Sequence, residues 1–247
     1  TMSGWLPDPS PSTLIPPNRD HPFFNFATTH PFDYLAQDYS AANAAWLADL
    51  ALLAYDDPVH VEPALAIGGF HLYGRQPINA EGGRGAAQVY IAHDEHSVLV
   101  AFRGTEIPVT SSSRGFLSKT FDSLQDTLTN ARLKFTPVAD GVCAHCGFVA
   151  ALDEVWDDLL EGWIAPLVDG PAGRKVWFTG HSLGAAMATL AAWRYGECAG
   201  LYTFASPRVG DAAFAAAIDD MPAWRVALKD DFVTTVPCKQ LAGVIDE

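Results

Sequence analysis

The chain has 247 residues, 49% of them hydrophobic, with no linker-like stretch through its middle, so one main globular domain is expected. Its 15 basic against 29 acidic residues leave a formal charge of -14, which opposes attachment to nucleic acid or to an anionic bilayer. No apolar run approaches the roughly 20 residues of a membrane span, and the first residues lack a basic stretch followed by an apolar one. A cytoplasmic protein, or one exported by a signal-independent route, is therefore expected.

In chain order, residues 1–32 read as an extended N-terminal arm. They are rich in proline and carry His21-Pro22-Phe23 and His30-Pro31-Phe32 as aromatic anchors. From 33 to 55 apolar residues recur at helical spacing, including Trp46, Leu47, Leu50 and Leu53, which predicts one long amphipathic helix ended by Asp56-Asp57-Pro58. Residues 68–85 hold six glycines and read as loop. Strands are expected at 88–92 and 97–102 as a hairpin, then at 132–135, 175–179, 201–205 and 224–228; helices are expected at 148–168, 182–195 and 211–219. Strands alternating with helices in the second half predict an α/β fold with a mostly parallel sheet covered on both faces. Ligands then sit at the carboxyl ends of the strands.

Four cysteines do not make a disulfide scaffold in a chain of this length. The group Cys143-Ala144-His145-Cys146 has no second ligand pair, because Cys198 and Cys238 stand alone, so neither metal nor cofactor is expected.

The run Gly180-His181-Ser182-Leu183-Gly184 lies between the apolar Val176-Trp177-Phe178-Thr179 and a helix-like segment rich in alanine. That is the setting of a nucleophile elbow, where a strained strand-to-helix turn presents a serine to a base and an oxyanion site together. The backbone N–H of Leu183 is one oxyanion donor, and the loop Phe102-Arg103-Gly104-Thr105 suits the second. For the acid, Asp211 reads as a helix cap, whereas Asp230 and Asp231 follow the strand expected at 224–228. All eight histidines precede Ser182. His181 should point away from its neighbour's hydroxyl, and His145 reads as structural.

Five segments together resemble the class 3 lipase family of α/β-hydrolases over residues 38–237: 43–55, Val100-Ala101-Phe102-Arg103-Gly104-Thr105, His145-Cys146-Gly147-Phe148, the elbow, and Tyr202-Thr203-Phe204-Ala205-Ser206-Pro207-Arg208-Val209-Gly210. The resemblance implies an α/β-hydrolase domain over 33–247 that cleaves acyl-glycerol or phospholipid esters. It implies Ser182 as nucleophile, Thr105 with Leu183 as oxyanion hole, Asp231 as acid, and a lid at 106–121 that meets a lipid interface. Family members carry the base histidine past the acid, and none follows Asp231 here. The resemblance thus implies a C-terminal segment beyond these residues, a histidine from a second chain, or an impaired lipase-fold binding or scaffold protein. A signal-less lipase toxin regulated by a partner protein is a further alternative.

Overall fold

A computed structural model describes residues 21–79, 88–104, 135–170, 173–229 and 231–235. Its frame is a six-stranded sheet in the order β1-β2-β3-β6-β7-β8. The strands are β1 (His71–Asn79), β2 (Gln88–His93), β3 (Ser97–Phe102), β6 (Lys175–His181), β7 (Gly200–Phe204) and β8 (Ala223–Val226). The first three are antiparallel neighbours, while β3, β6, β7 and β8 run parallel. A separate hairpin pairs β4 (Phe135–Ala139) with β5 (Val142–His145).

The central strands are apolar on both sides because both sides are covered. In β3, Val98, Val100 and Phe102 enter one core cluster and Leu99 and Ala101 the other; in β6, Val176 and Phe178 oppose Trp177 in the same way. Helix α1 (Ala41–Leu53) covers one face, and α3 (Cys146–Asp157) with α4 (Leu183–Tyr195) covers the other. Short α2 (Pro58–Ile67) and α5 (Ala212–Ala217) complete the set. Among the described residues no helix is long and apolar enough to cross a membrane.

Several sequence expectations change. The helix expected over 33–55 starts only at Ala41, where the Ser40 hydroxyl accepts the Asn43 N–H at 3.2 Å. It is buried on most sides rather than amphipathic, since Asn43 and Asp49 are buried along with Trp46, Leu47 and Leu50. Pro58, read as a stop, is the first residue of α2, where a missing N–H costs nothing. The expected loop at 68–85 contains β1, an edge strand whose register breaks between Tyr73 and Ile78; an edge tolerates Gly74 and Pro77 there. The helix expected over 148–168 is interrupted by a π-helical stretch, Asp158–Ile164, before Ala165–Val168. Strand β5 has no counterpart among the expected strands, and α3 opens at Cys146, two residues before the helix expected from 148.

Residues 21–30, part of the expected extended arm, form consecutive turns closed by bonds such as Ala27 N–H to Phe24 O at 3.0 Å. Phe24 takes φ 54 and stacks on Trp46 at 5.0 Å. Asp49 holds the segment down by accepting the Phe24 N–H at 2.8 Å and meeting His21 Nε2 at 2.7 Å. Thr105, the segment 106–121 expected as a lid, Asp230 and Cys238 lie outside the described residues.

Candidate active site

Strand β6 ends at His181 and α4 begins at Leu183, so Ser182 alone makes the turn, at φ 56 and ψ -122. A non-glycine residue there is strained, and the surroundings hold it: the Ser182 N–H donates to Phe204 O at 2.9 Å, and Ser182 O accepts the Ala185 N–H at 3.0 Å. The two glycines of the motif are needed because backbone crosses backbone. A Cβ on Gly180 would lie 2.3 Å from Gly184 O, and one on Gly184 would lie 2.2 Å from Phe102 O. The start of α4 is thereby pressed onto the end of β3 and the loop that leaves it.

Ser182 is only 4% exposed, yet its Oγ has no hydrogen-bond partner among the described residues. A buried hydroxyl left unpaired costs about 1–3 kcal/mol, so its retention points to a group that a reacting molecule engages. Leu183 opens α4, and its N–H therefore has no acceptor within the helix.

Behind the turn lies a buried polar cluster. The Tyr55 hydroxyl, at the end of α1, meets His181 Nδ1 at 3.0 Å and accepts the Gly104 N–H. The Tyr55 hydroxyl thus ties the His181 ring, at the end of β6, to the backbone of the loop that leaves β3. Burial pushes the Tyr55 hydroxyl's pKa well up, against the pull of Arg103, whose guanidinium lies 5.9 Å from the Tyr55 ring. Burial likewise pushes the His181 pKa down, opposed by the charge of Asp231. A Cβ on Gly104 would strike the Tyr55 hydroxyl at 2.0 Å and His181 O at 2.7 Å, so this loop also rests on the elbow's backbone.

Asp231 follows β8 and is half-buried. Its Oδ1 accepts the Val233 N–H at 3.0 Å and its carbonyl accepts the Thr234 hydroxyl at 2.6 Å, starting the turn Phe232–Thr235. Arg225 of β8 braces that turn, donating from Nη2 to Ser206 O at 2.6 Å and Thr234 O at 2.8 Å. Asp211 caps α5 through the Phe214 N–H at 2.7 Å. His145 caps α3 with Nδ1 on the Gly147 N–H at 3.2 Å and donates its own N–H to Val209 O at 2.9 Å.

The family profile described as Lipase (class 3) matches residues 99–241, more than half of the chain and every segment just described from β3 to Asp231. The chain belongs to the class 3 lipase family. Its relatives include a secreted mono- and diacylglycerol lipase A of Penicillium cyclopium, 32% identical over 136 residues, covering 53% of this chain and 39% of that protein. A phospholipase A1, EG1, of Oryza sativa subsp. indica is 28% identical over 185 residues, covering 66% of this chain and 42% of its own length. The chain thus spans less than half the length of both. The solved structure of lipase II from Rhizopus niveus superposes with a TM-score of 0.64 over 83% of this chain and 78% of that one, at 21% identity, which supports the α/β-hydrolase fold.

In this member of the family the fold sets Ser182, Leu183 and Gly104 around one turn and brings Asp231 within electrostatic reach of His181. Among the described residues no base reaches Ser182: all eight histidines are described, and none bonds the serine hydroxyl. Tyr55 was not foreseen as a site residue. The only signal available was its place in the segment 43–55 that carried the family resemblance.

Proposed function

We propose that this member of the class 3 lipase family is a serine ester hydrolase acting on acyl-glycerol or phospholipid esters. The observation that carries the reading is the unpartnered, buried Ser182 hydroxyl on a strained turn at the start of α4. In the reaction Ser182 Oγ attacks the ester carbonyl carbon while its proton passes to a base. The C–O bond to the alcohol breaks as that proton is delivered to the leaving oxygen, and water then hydrolyses the acyl-enzyme. The Leu183 N–H at the helix start, together with Thr105 beyond Gly104, stabilises the oxyanion. Asp231 orients the base, a histidine contributed from outside these 247 residues. The segment 106–121 is read as a lid that presents apolar surface to lipid.

The mono- and diacylglycerol lipase and the phospholipase A1 among the relatives support a glycerolipid ester as substrate class. The test is covalent labelling by a fluorophosphonate probe in wild type and Ser182→Ala, each assayed with the histidine-bearing segment or partner present. Labelling that requires Ser182 is the expected result. Its absence, with the fold intact by circular dichroism, overturns the hydrolase reading in favour of a lipase-fold binding protein.

A further inference from the structure

The start of β1 and the end of β2 set two imidazoles opposite each other. His71 and His93 are register partners in the antiparallel pair, and their ring centroids lie 5.9 Å apart at an interplanar angle of 47°. Directly opposed residues have their Cβ atoms about 4.5–5.5 Å apart, so the register itself keeps the two rings together. Tyr73, two residues along β1 and on the same side, closes one flank: its ring meets His93 edge-on at 5.7 Å and Trp163 of the π-helical stretch at 5.9 Å. His71 is exposed, whereas His93 is half-buried with its Nδ1 shielded from water. That nitrogen has no hydrogen-bond partner among the described residues, and a buried polar atom in that state calls for one.

Burial first, then the charges of Arg174 and His71, push the His93 pKa down, with the Asp94 backbone and carboxylate opposing. The ring is therefore neutral near pH 7, the form that coordinates a metal. Arg174 is engaged by backbone, donating from Nε to Asp94 O at 2.6 Å and from Nη1 to Leu167 O at 2.9 Å. Its charge acts against a bound cation. The Asp94 carboxylate, whose Oδ1 accepts the His96 and Ser97 N–H groups at 2.8 and 2.6 Å, acts for one. Imidazole nitrogens suit zinc or copper, whereas calcium and magnesium take oxygen ligands. Rings that share one zinc ion, each with a nitrogen about 2.0–2.1 Å from it, have centroids roughly 5 Å apart, so a small rotation of the exposed His71 completes the geometry. Among the described residues no group of three or more His, Cys, Asp or Glu is placed to hold a metal, so water fills the remaining positions.

We propose that His71 and His93 form a two-point site for a zinc or copper ion that staples the start of β1 to β2. Strand β1 lies at the edge of the sheet, and only His71, Leu72 and Tyr73 pair with β2 before the register breaks. A short run of edge pairs opens easily. An ion that bridges the two rings ties this run to a strand whose Ile91 and Ala92 are buried in the core. The site shares no residue with the turn at Ser182 and stands independently of the ester hydrolase reading.

The experiment titrates zinc chloride into the full chain, free of any affinity tag and stripped with EDTA, by calorimetry. Amide hydrogen exchange at Leu72 and Tyr73 is read with and without the ion. Saturable binding and slower exchange at both amides are expected, with no response to calcium chloride. Losing either ring turns a two-point attachment into a one-point one, so His71→Gln and His93→Gln each weaken binding about a hundredfold. The double variant should bind no more weakly than either single one. Because His71 is exposed, His71→Gln is the decisive variant, and its melting temperature without metal should equal that of wild type. His60→Gln, at an exposed position on α2, should leave the affinity unchanged. Zinc affinity indifferent to His71→Gln overturns the proposal, as does an equal loss in His60→Gln or competition by calcium. Binding that leaves exchange at Leu72 and Tyr73 unaltered overturns the staple.

Discussion

Replacing Gly184 by alanine tests whether the glycines of the elbow are there for backbone contact. An added Cβ falls 2.2 Å from Phe102 O, 2.8 Å from Arg103 C and 2.9 Å from Arg103 O. None of these is the end of a side chain that can rotate away. Phe102 is fully buried in β3 and paired with Gly180 of β6, so the strand cannot retreat either. Ordinary contact needs the carbonyl oxygen to lie about 1 Å farther off, and α4 is the element free to move. Overpacking of this kind costs about 1–3 kcal/mol in stability. On the proposed mechanism, a displacement of about 1 Å between Ser182 and the loop at Gly104 lowers the rate of attack about a hundredfold. The assay is the rate of fluorophosphonate labelling at Ser182 beside the melting temperature, with Gly162→Ala as control because a Cβ there meets no atom within 4 Å. If Gly184→Ala labels and melts like wild type, the close packing of α4 on the end of β3 does not position the serine, and the argument fails.

Ala205 sits at φ 51 just past β7, so Ala205→Gly should raise stability by about 1 kcal/mol in chemical denaturation; a loss would contradict the strain inferred there. Tyr55→Phe strips the hydroxyl from between His181 Nδ1 and the Gly104 N–H, leaving both buried groups unpaired. It should cost about 1–3 kcal/mol and slow Ser182 labelling more than an equally destabilising change in α2 does. Equal slowing in the two would assign Tyr55 to packing alone. Because burial holds the His181 pKa below the ordinary histidine value of 6.5, the unfolded chain gains the proton first as pH falls. Stability due to this residue is therefore complete above pH 6.5 and is lost toward the folded pKa at up to about 1.4 kcal/mol per pH unit. His181→Gln should flatten the stability profile on the acid side of that value, and parallel wild-type and mutant profiles would remove His181 from the explanation.

What could be read from the sequence was whatever a local backbone demand imposes on residue type. The elbow is of that kind: the turn at Ser182 admits no Cβ at Gly180 or Gly184, so the geometry leaves its mark in five consecutive letters. The buried strands β3 and β6 are similar, since cover on both faces leaves unbroken apolar runs. Strand β1 escaped because an edge with a register break accepts glycine and proline, the residues that otherwise announce a loop. Helix α2 escaped because proline begins a helix as readily as it ends one. Tyr55 shows the deeper limit. Its contact depends on a partner 126 positions away in the chain, and nothing in its own neighbourhood separates a tyrosine that caps an apolar stripe from one that props up the turn at Ser182. Long-range polar pairs carry no period and no spacing, so the chemistry that surrounds a motif must be taken from the fold even where the motif itself is plain in the sequence.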